Sequence, residues 1–488
     1  MAPPRVGRSV RIEIEDVQGL ILRGFGSMKA SCYLALQIHD LAGARAWLRE
    51  IARELTPAAE PVTDRHVNVA FSYLALEKLG LAPSTLAGFG TAFLEGIDGG
   101  KAVHRSAALG DVGESAPENW RWGNAQRPVE IALLLFARDE AGIEAFTAFH
   151  RERLDKHGLA IIGEFGSLEL PGRKEHFGFR DGISQPAIRN ANPPDERLGV
   201  LEQDRAENTV EPGEFLFGYT NQYGELPHGP CVDAELDRAG ILAPHPAWSG
   251  MVHDFGRNGS YLVWRQLEEH AHEFWRTIHA NAADDPAARA KLAAKFFGRW
   301  PSGAPLALAP DFDDPKLQDA NDFSYARDDP YGFRTPLGSH IRRGNPRDWN
   351  LSPKPETSVK IANAHRIIRR GRPYGPPVAP SMDPEHILVA RPDGEERGVH
   401  FLCFMADIER QYEMVQHTWV NNAKYGGLSD EVDPMLGAPP ETGGTFTVQA
   451  TPLRRSLTGI SRFVTVRGAA YLFMPGLRAV RYLTALRS

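Results

Sequence analysis

The chain has 488 residues, 42% of them hydrophobic and 24% charged, ordinary proportions for a soluble globular protein. That length exceeds one ordinary core and calls for two or three domains. A net charge of −7 supplies no basic face for nucleic acid, and no apolar run reaches the roughly 18 residues of a membrane-spanning helix.

Cys32, Cys231 and Cys403 are odd in number and far apart, so neither a disulfide framework nor a cysteine metal site follows. Residues 1–8 have no apolar stretch and no paired arginines, and a reduced, cytoplasmic protein is expected. Cys32–Ile38 alternates as a strand does. Leu41, Ala44, Leu48, Ile51 and Leu55 then recur at helical spacing. Val67–Phe71 reads as a second strand. The apolar run Ile131–Phe136 is a third and feeds a helix from Glu140 to about His157, with a further strand over Ala160–Phe165. This order predicts a βαββαβ unit.

The pattern returns downstream. Ser260–Trp264 leads into a predicted helix over Gln266–Ala280, and Val399–Met405 into one over Ile408–Asn421. The expected fold is α+β, two ferredoxin-like modules packed sheet to sheet with long loop insertions, divided as 1–205 and 206–488. Polar Asn190–Glu214, with Pro193, Pro194 and Pro212, is the expected connection. Gly224–Gly259 and Pro301–Pro330 are long and irregular; ordered loops of this kind often wall a site, and a surface insertion reads the same way. No heptads, low-complexity tract or solenoid-length repeat is present.

Three stretches carry candidate chemistry. In Phe177-Gly178-Phe179-Arg180-Asp181-Gly182-Ile183-Ser184-Gln185-Pro186 a carboxylate sits among glycines and is closed by Gln-Pro, a tight loop holding Asp181 in place. Alone, an Asp-Gly turn is ordinary turn chemistry. In Thr335–Arg347 (TPLGSHIRRGNPR), His340 is followed by Arg342 and Arg343. A neutral imidazole suits the axial position of haem iron, and nearby arginines suit carboxylates; a histidine that merely hydrogen-bonds looks no different. In Arg366–Gly375 (RIIRRGRPYG), Ile367 and Ile368 would bury the stem of Arg369, whereas a run of arginines alone is usually a solvated face.

In this order, Asp181, His340 and Arg369 with their surrounding motifs resemble the dye-decolorising peroxidase family of haem proteins. The resemblance extends from Val17-Gln18-Gly19-Leu20 through Gly298–Gly303 (GRWPSG) and Phe401–Asp407 (FLCFMAD) to Gly468–Gly476 (GAAYLFMPG), nearly the whole chain. Gly371 stands where some relatives have a distal asparagine, so the chain is similar to the longer-chain branch.

The resemblance implies the two-module fold of the dimeric α+β barrel type, with haem b held mainly by the second module. His340 would be the proximal iron ligand, with Asp181 and Arg369 on the opposite face as the catalytic pair. Gly182, Ile183, Arg342, Phe401 and Phe404 would contact the cofactor, Arg342 through its propionates. The acid bonded to the proximal histidine is expected at Asp407, with Glu409 as the other choice. The implied partners are hydrogen peroxide and small organic donors such as dyes and phenols. No nucleic acid or membrane is expected, and a homo-oligomer is left open. Trp349 and Tyr374 are candidates for relaying electrons to bulky donors, although packed aromatics look the same. The rival reading is a haem-handling protein that releases or stores iron. It would need only His340 and an apolar slot.

Overall fold

The computed structural model describes residues 11–59, 63–98, 104–191, 206–248, 250–282 and 284–486. The expectation for residues 1–8, and much of that for Asn190–Glu214, lies outside them.

The first module is built on β1 (Ala30–Ile38), α1 (Leu41–Ile51), β2 (Arg65–Phe71), β3 (Ile131–Ala137), α2 (Glu140–Lys156) and β4 (Leu159–Leu168). Its strands lie in the order β4-β1-β3-β2, all antiparallel. Asp40 and Asp139 start the two helices by accepting the Ala42 and Gly142 amides. Both helices place apolar faces, including Trp47, Leu48, Ile51, Ile143 and Leu154, on the outer side of the sheet.

The second module repeats the plan with β5 (Ser260–Glu269), α3 (Ala271–Asn281), β6 (Ile368–Arg369), β7 (Arg372–Tyr374), β8 (Gly398–Met405), α4 (Ile408–Val420, wound as a π-helix) and β9 (Val464–Met474). The order β6-β8-β5-β9 matches that of the first sheet, with β7 also paired to β8. The expected helix at Gln266 is corrected: Gln266–Glu268 remain strand because β8 and β9 pair them from both sides, Glu269 continues it against β9, and α3 begins at Ala271.

The two sheets meet edge to edge at Phe473 and Phe71. At the far edge β7 packs against β4, where Ser167 Oγ donates to the Pro373 carbonyl at 2.5 Å. Between the sheets lies an apolar filling that includes Tyr33, Leu134, Phe136, Trp264, Leu402, Phe404 and Leu472. Each such side chain contributes about 1.5–3 kcal/mol when fully withdrawn from water.

The strands of the first sheet fall within 30–168 and those of the second within 260–474, but the chain ends interleave. The Gln18 side-chain amide donates to the carbonyls of Val69 and Pro475 (2.9 Å each) and so stitches the modules together. A terminal helix, α5 (Leu477–Ala485), hangs from Asp16 and packs on α1. Of the long loops, Gly224–Gly259 contains a small three-stranded sheet. Pro301–Pro330 reaches the Asp181 loop through Arg180, which pairs with Asp319 at 2.8 Å.

Candidate active site

Strand alternation fixes which side chains face the site. In β8, Val399, Phe401 and Cys403 point outward toward the helices, whereas His400, Leu402 and Phe404 point between the sheets. Arg369 pairs with Cys403 and therefore shares the outward face; its neighbour Ile368 pairs with Phe404 and joins the inner filling. Phe404, expected against the cofactor, is corrected on this ground. It stands three residues from Phe401 on a period of two and cannot share its face.

The Asp181 loop is locked onto Arg369 by Gln185. Its side-chain NH2 donates to the Arg369 carbonyl and its oxygen accepts the Arg369 amide, both at 3.1 Å. The Arg369 guanidinium then donates to Asp181 Oδ1 at 2.7 Å. Gly182 has φ +80°, which brings its own amide back to the Asp181 carboxylate. Ile183 closes over Gly303, where any Cβ would fall 2.6 Å from the Ile183 methyl.

His340 opens a short helical turn, His340–Gly344, and its Nδ1 bonds to Asp433 Oδ2 at 3.0 Å. Asp433 replaces Asp407 as the acid beside the histidine. Its other oxygen accepts the amides of Met435 and Leu436 (2.8 and 3.0 Å), which fix its orientation. Asp407 instead caps α4 by accepting the Arg410 amide at 2.9 Å, and Glu409 faces Arg105. The one sequence signal for Asp433 was an Asp-Pro step after a glycine-rich stretch, 93 positions downstream of His340.

Arg342 is also corrected. It is fully buried and donates to Asp329 Oδ2 (3.2 Å) and to the carbonyls of Thr335 and Asp329 (2.9 Å each). Its guanidinium lies between the rings of Tyr325 and Trp349, at 4.4 and 4.1 Å, so it braces the fold and does not offer itself to propionates. Arg343 ties the His340 turn to the end of α4 and to the Asp433 loop through the carbonyls of Trp419, Asn422 and Glu431. Trp349 donates its ring N–H to the Pro330 carbonyl at 2.8 Å. Tyr374 is buried with its hydroxyl 3.3 Å from Glu396.

The electrostatics separate two carboxylate pairs. Burial pushes the Asp181 carboxyl up, but the Arg369 charge, the Gly182 amide and the Arg369 hydrogen bond outweigh it and hold the group below its ordinary value. Burial likewise opposes ionisation of Asp433, and His340 overcomes it. For His340, burial disfavours the charged ring, and Asp433 reverses this and raises its basicity.

The side chains of Asp181 and His340 are 54% and 26% accessible to water, yet burial is the largest influence on both. Accessible surface in a desolvated setting means that they face an enclosed space within the protein. Asp181, Arg369 and His340 also sense one another's charge. With Nδ1 occupied by Asp433, Nε2 is the atom that His340 presents. Among the described residues no cluster of three or more His, Cys, Asp or Glu could hold a metal ion. One imidazole facing a void therefore fits an iron whose other ligands come from a macrocycle.

No family model matches the chain. The dye-decolorizing peroxidase msp1 of Mycetinis scorodonius is 29% identical over 505 aligned residues, covering 97% of this chain and 88% of the relative. The multifunctional dye peroxidase DyP2 of Amycolatopsis is 28% identical over 97% of this chain and 94% of its own. Among solved structures, an ancestral D-type dye-decolorizing peroxidase matches with a TM-score of 0.73 at 25% identity, covering 97% of this chain and 99% of that one. A dye-decolorizing peroxidase in complex with 2,6-dimethoxyphenol matches with a TM-score of 0.77 at 23% identity, covering 97% and 100%. Along 97% of its sequence, and in its fold, the chain is similar to dye-decolorising peroxidases.

Proposed function

We propose that the protein is a haem b-dependent peroxidase that reduces hydrogen peroxide and oxidises organic donors such as dyes and phenols in one-electron steps. The observation that carries this reading is the Asp181–Arg369 pair, fixed by Gln185 and facing the same enclosed space as His340. A haem-handling protein needs the histidine alone, so the retained acid and guanidinium favour peroxidase chemistry.

Bound haem would supply the redox iron at which peroxide is cleaved and to which donors return electrons. His340 would hold the iron through Nε2. Asp433, by accepting the Nδ1 proton, orients the ring and makes it a stronger electron donor. Asp181, kept ionised by Arg369, takes a proton from the inner oxygen of peroxide and gives it to the outer oxygen. Arg369 stabilises the negative charge that develops on the departing oxygen, a contribution on the order of 3–4 kcal/mol in comparable oxyanion sites. Phe401 and Ile183 would border the cofactor.

A cytoplasmic setting belongs to the same proposal and is supported by three free cysteines. No helix among the described residues is long and apolar enough to cross a membrane.

The test is an absorption spectrum of the haem-supplemented protein, followed by dye turnover with peroxide in wild type and in Asp181→Ala and Arg369→Leu. A Soret band and strong loss of turnover in both variants are expected. Absence of the band, or full activity in the variants, overturns the reading.

A further inference from the structure

Just before Asp181 the chain makes a tight turn, Glu175–Phe179, that holds two carboxyl groups with no role in the chemistry above. The turn is closed by the Glu175 amide on the Phe179 carbonyl and the Gly178 amide on the Glu175 carbonyl, both at 2.9 Å. Glu175 accepts the amides of Phe177 (2.7 Å) and Phe179 (2.9 Å), and Glu269, at the end of β5, accepts the amide of His176 (3.2 Å). One turn thus presents its amides to two acids from different elements. Among the described residues neither acid has an ion-pair partner.

The one cation that acts on the pair among the described residues, Lys174, offsets burial of Glu175 less than the amides do. Lys174 is engaged by Asp383 and the Met382 carbonyl at 3.1 Å each. The His176 ring bonds the Tyr374 carbonyl at 2.7 Å, and burial and Arg397 keep it uncharged. Tyr374 and Glu268 add no positive charge, and Asp181 adds a further negative one. Burial, with Asp181 adding to it, pushes Glu175 up to about 8 despite the amides it accepts. Burial and then Glu175 push Glu269 well above the carboxylate range. Glu175 and Glu269 are half-buried and Asp181 keeps 54% of its side-chain surface, although burial dominates the titration of all three.

We propose that Glu175 and Glu269 form a proton-holding carboxyl pair behind Asp181, which returns to Asp181, through intervening water, the protons that peroxide reduction consumes. The inference rests on the peroxidase reading. Reducing one peroxide to two waters takes up two electrons, from the organic donor, and two protons. For each proton, an O–H bond of the pair breaks, a proton reaches an Asp181 carboxylate oxygen and passes on to the oxygen being reduced, and solvent reprotonates the pair. Glu175 and Glu269 act through Asp181 and do not touch peroxide.

The test uses the haem-loaded protein and the near-isosteric variants Glu175→Gln and Glu269→Gln. Infrared difference spectra between pH 6 and pH 10, recorded without peroxide, read the carbonyl band of a protonated carboxyl. Wild type is expected to show this band at neutral pH and each variant to change it. Turnover at pH 7 should fall about tenfold in each variant, less than the roughly 10²–10⁴-fold of a direct proton transfer because the pair acts through Asp181, and recover toward wild type as the pH is lowered. A band unaltered in both variants overturns the proposal, as does an altered band with a wild-type pH profile. Failure of the peroxidase reading shows differently, as wild-type protein that carries the carboxyl band but turns over no dye.

Discussion

The two modules share one strand order and differ in what interrupts it. In the first, α1 and α2 lie directly on the outer face of the sheet, with Trp47, Leu48 and Phe146 filling the interval. In the second, residues 282–367 intervene between α3 and β6 and carry His340, while β6 itself carries Arg369. The same topology thus gives a closed helix-on-sheet layer in one place and a charged enclosure in the other. The candidate site follows the insertion and the outward-facing strand positions, and the sheet serves as their frame.

Replacing the histidine is the severest way to break this contrast. His340→Ala is expected to abolish haem retention and turnover, with the Soret band as the measurement, while far-ultraviolet circular dichroism stays close to wild type. Next come Asp181→Asn and Arg369→Leu, each expected to lower kcat/KM by about 10²–10⁴ with the haem still bound. Asp433→Asn should cost about 10–100-fold in activity or cofactor affinity, because it loosens the imidazole without removing it; a heme-release assay reads the affinity.

A milder test follows from the depressed pKa of Asp181. The proposed mechanism needs its ionised form, which persists below the ordinary carboxylate value near 3.9 while Arg369 is present. The acid limb of kcat/KM should therefore move to higher pH in Arg369→Leu, measured on its residual activity. The stability linked to Asp181 and Asp433 has the same sign: it is present above their unfolded values and lost as pH falls through their folded ones. The smallest effect on chemistry belongs to the first module. Trp47→Ala should lower stability by about 3–5 kcal/mol, read by denaturant unfolding, with kcat per folded molecule unchanged.

Much of the frame was legible because strand alternation and helical spacing are local. Cys32–Ile38, Ile131–Phe136 and Val399–Met405 all lie in strands. The loop glycines and Gln185 mark a rigid turn, and the spacing of the motifs marks the resemblance. Gln266 was misread because a helix and the end of a central strand show similar short apolar patterns, and only pairing on both sides decides between them. Phe404 was misplaced for want of the strand's facing, and Arg342 because a buried brace and an exposed anion binder are the same residue type. Asp433 was missed because its partner is remote in sequence and Asp-Pro is common in turns.

The sequence by itself determined the βαββαβ plan of the first module and the recurring strand-helix pairs of the second, and singled out Asp181, His340 and Arg369 as candidates, since periodicity and motif order are written along the chain. Only the tertiary structure decided that Arg369 outweighs burial at Asp181, that Asp433 stands beside His340, and which face of β8 meets the enclosure. Those outcomes depend on distances between groups far apart along the polymer, and on the desolvation that packing imposes when they meet.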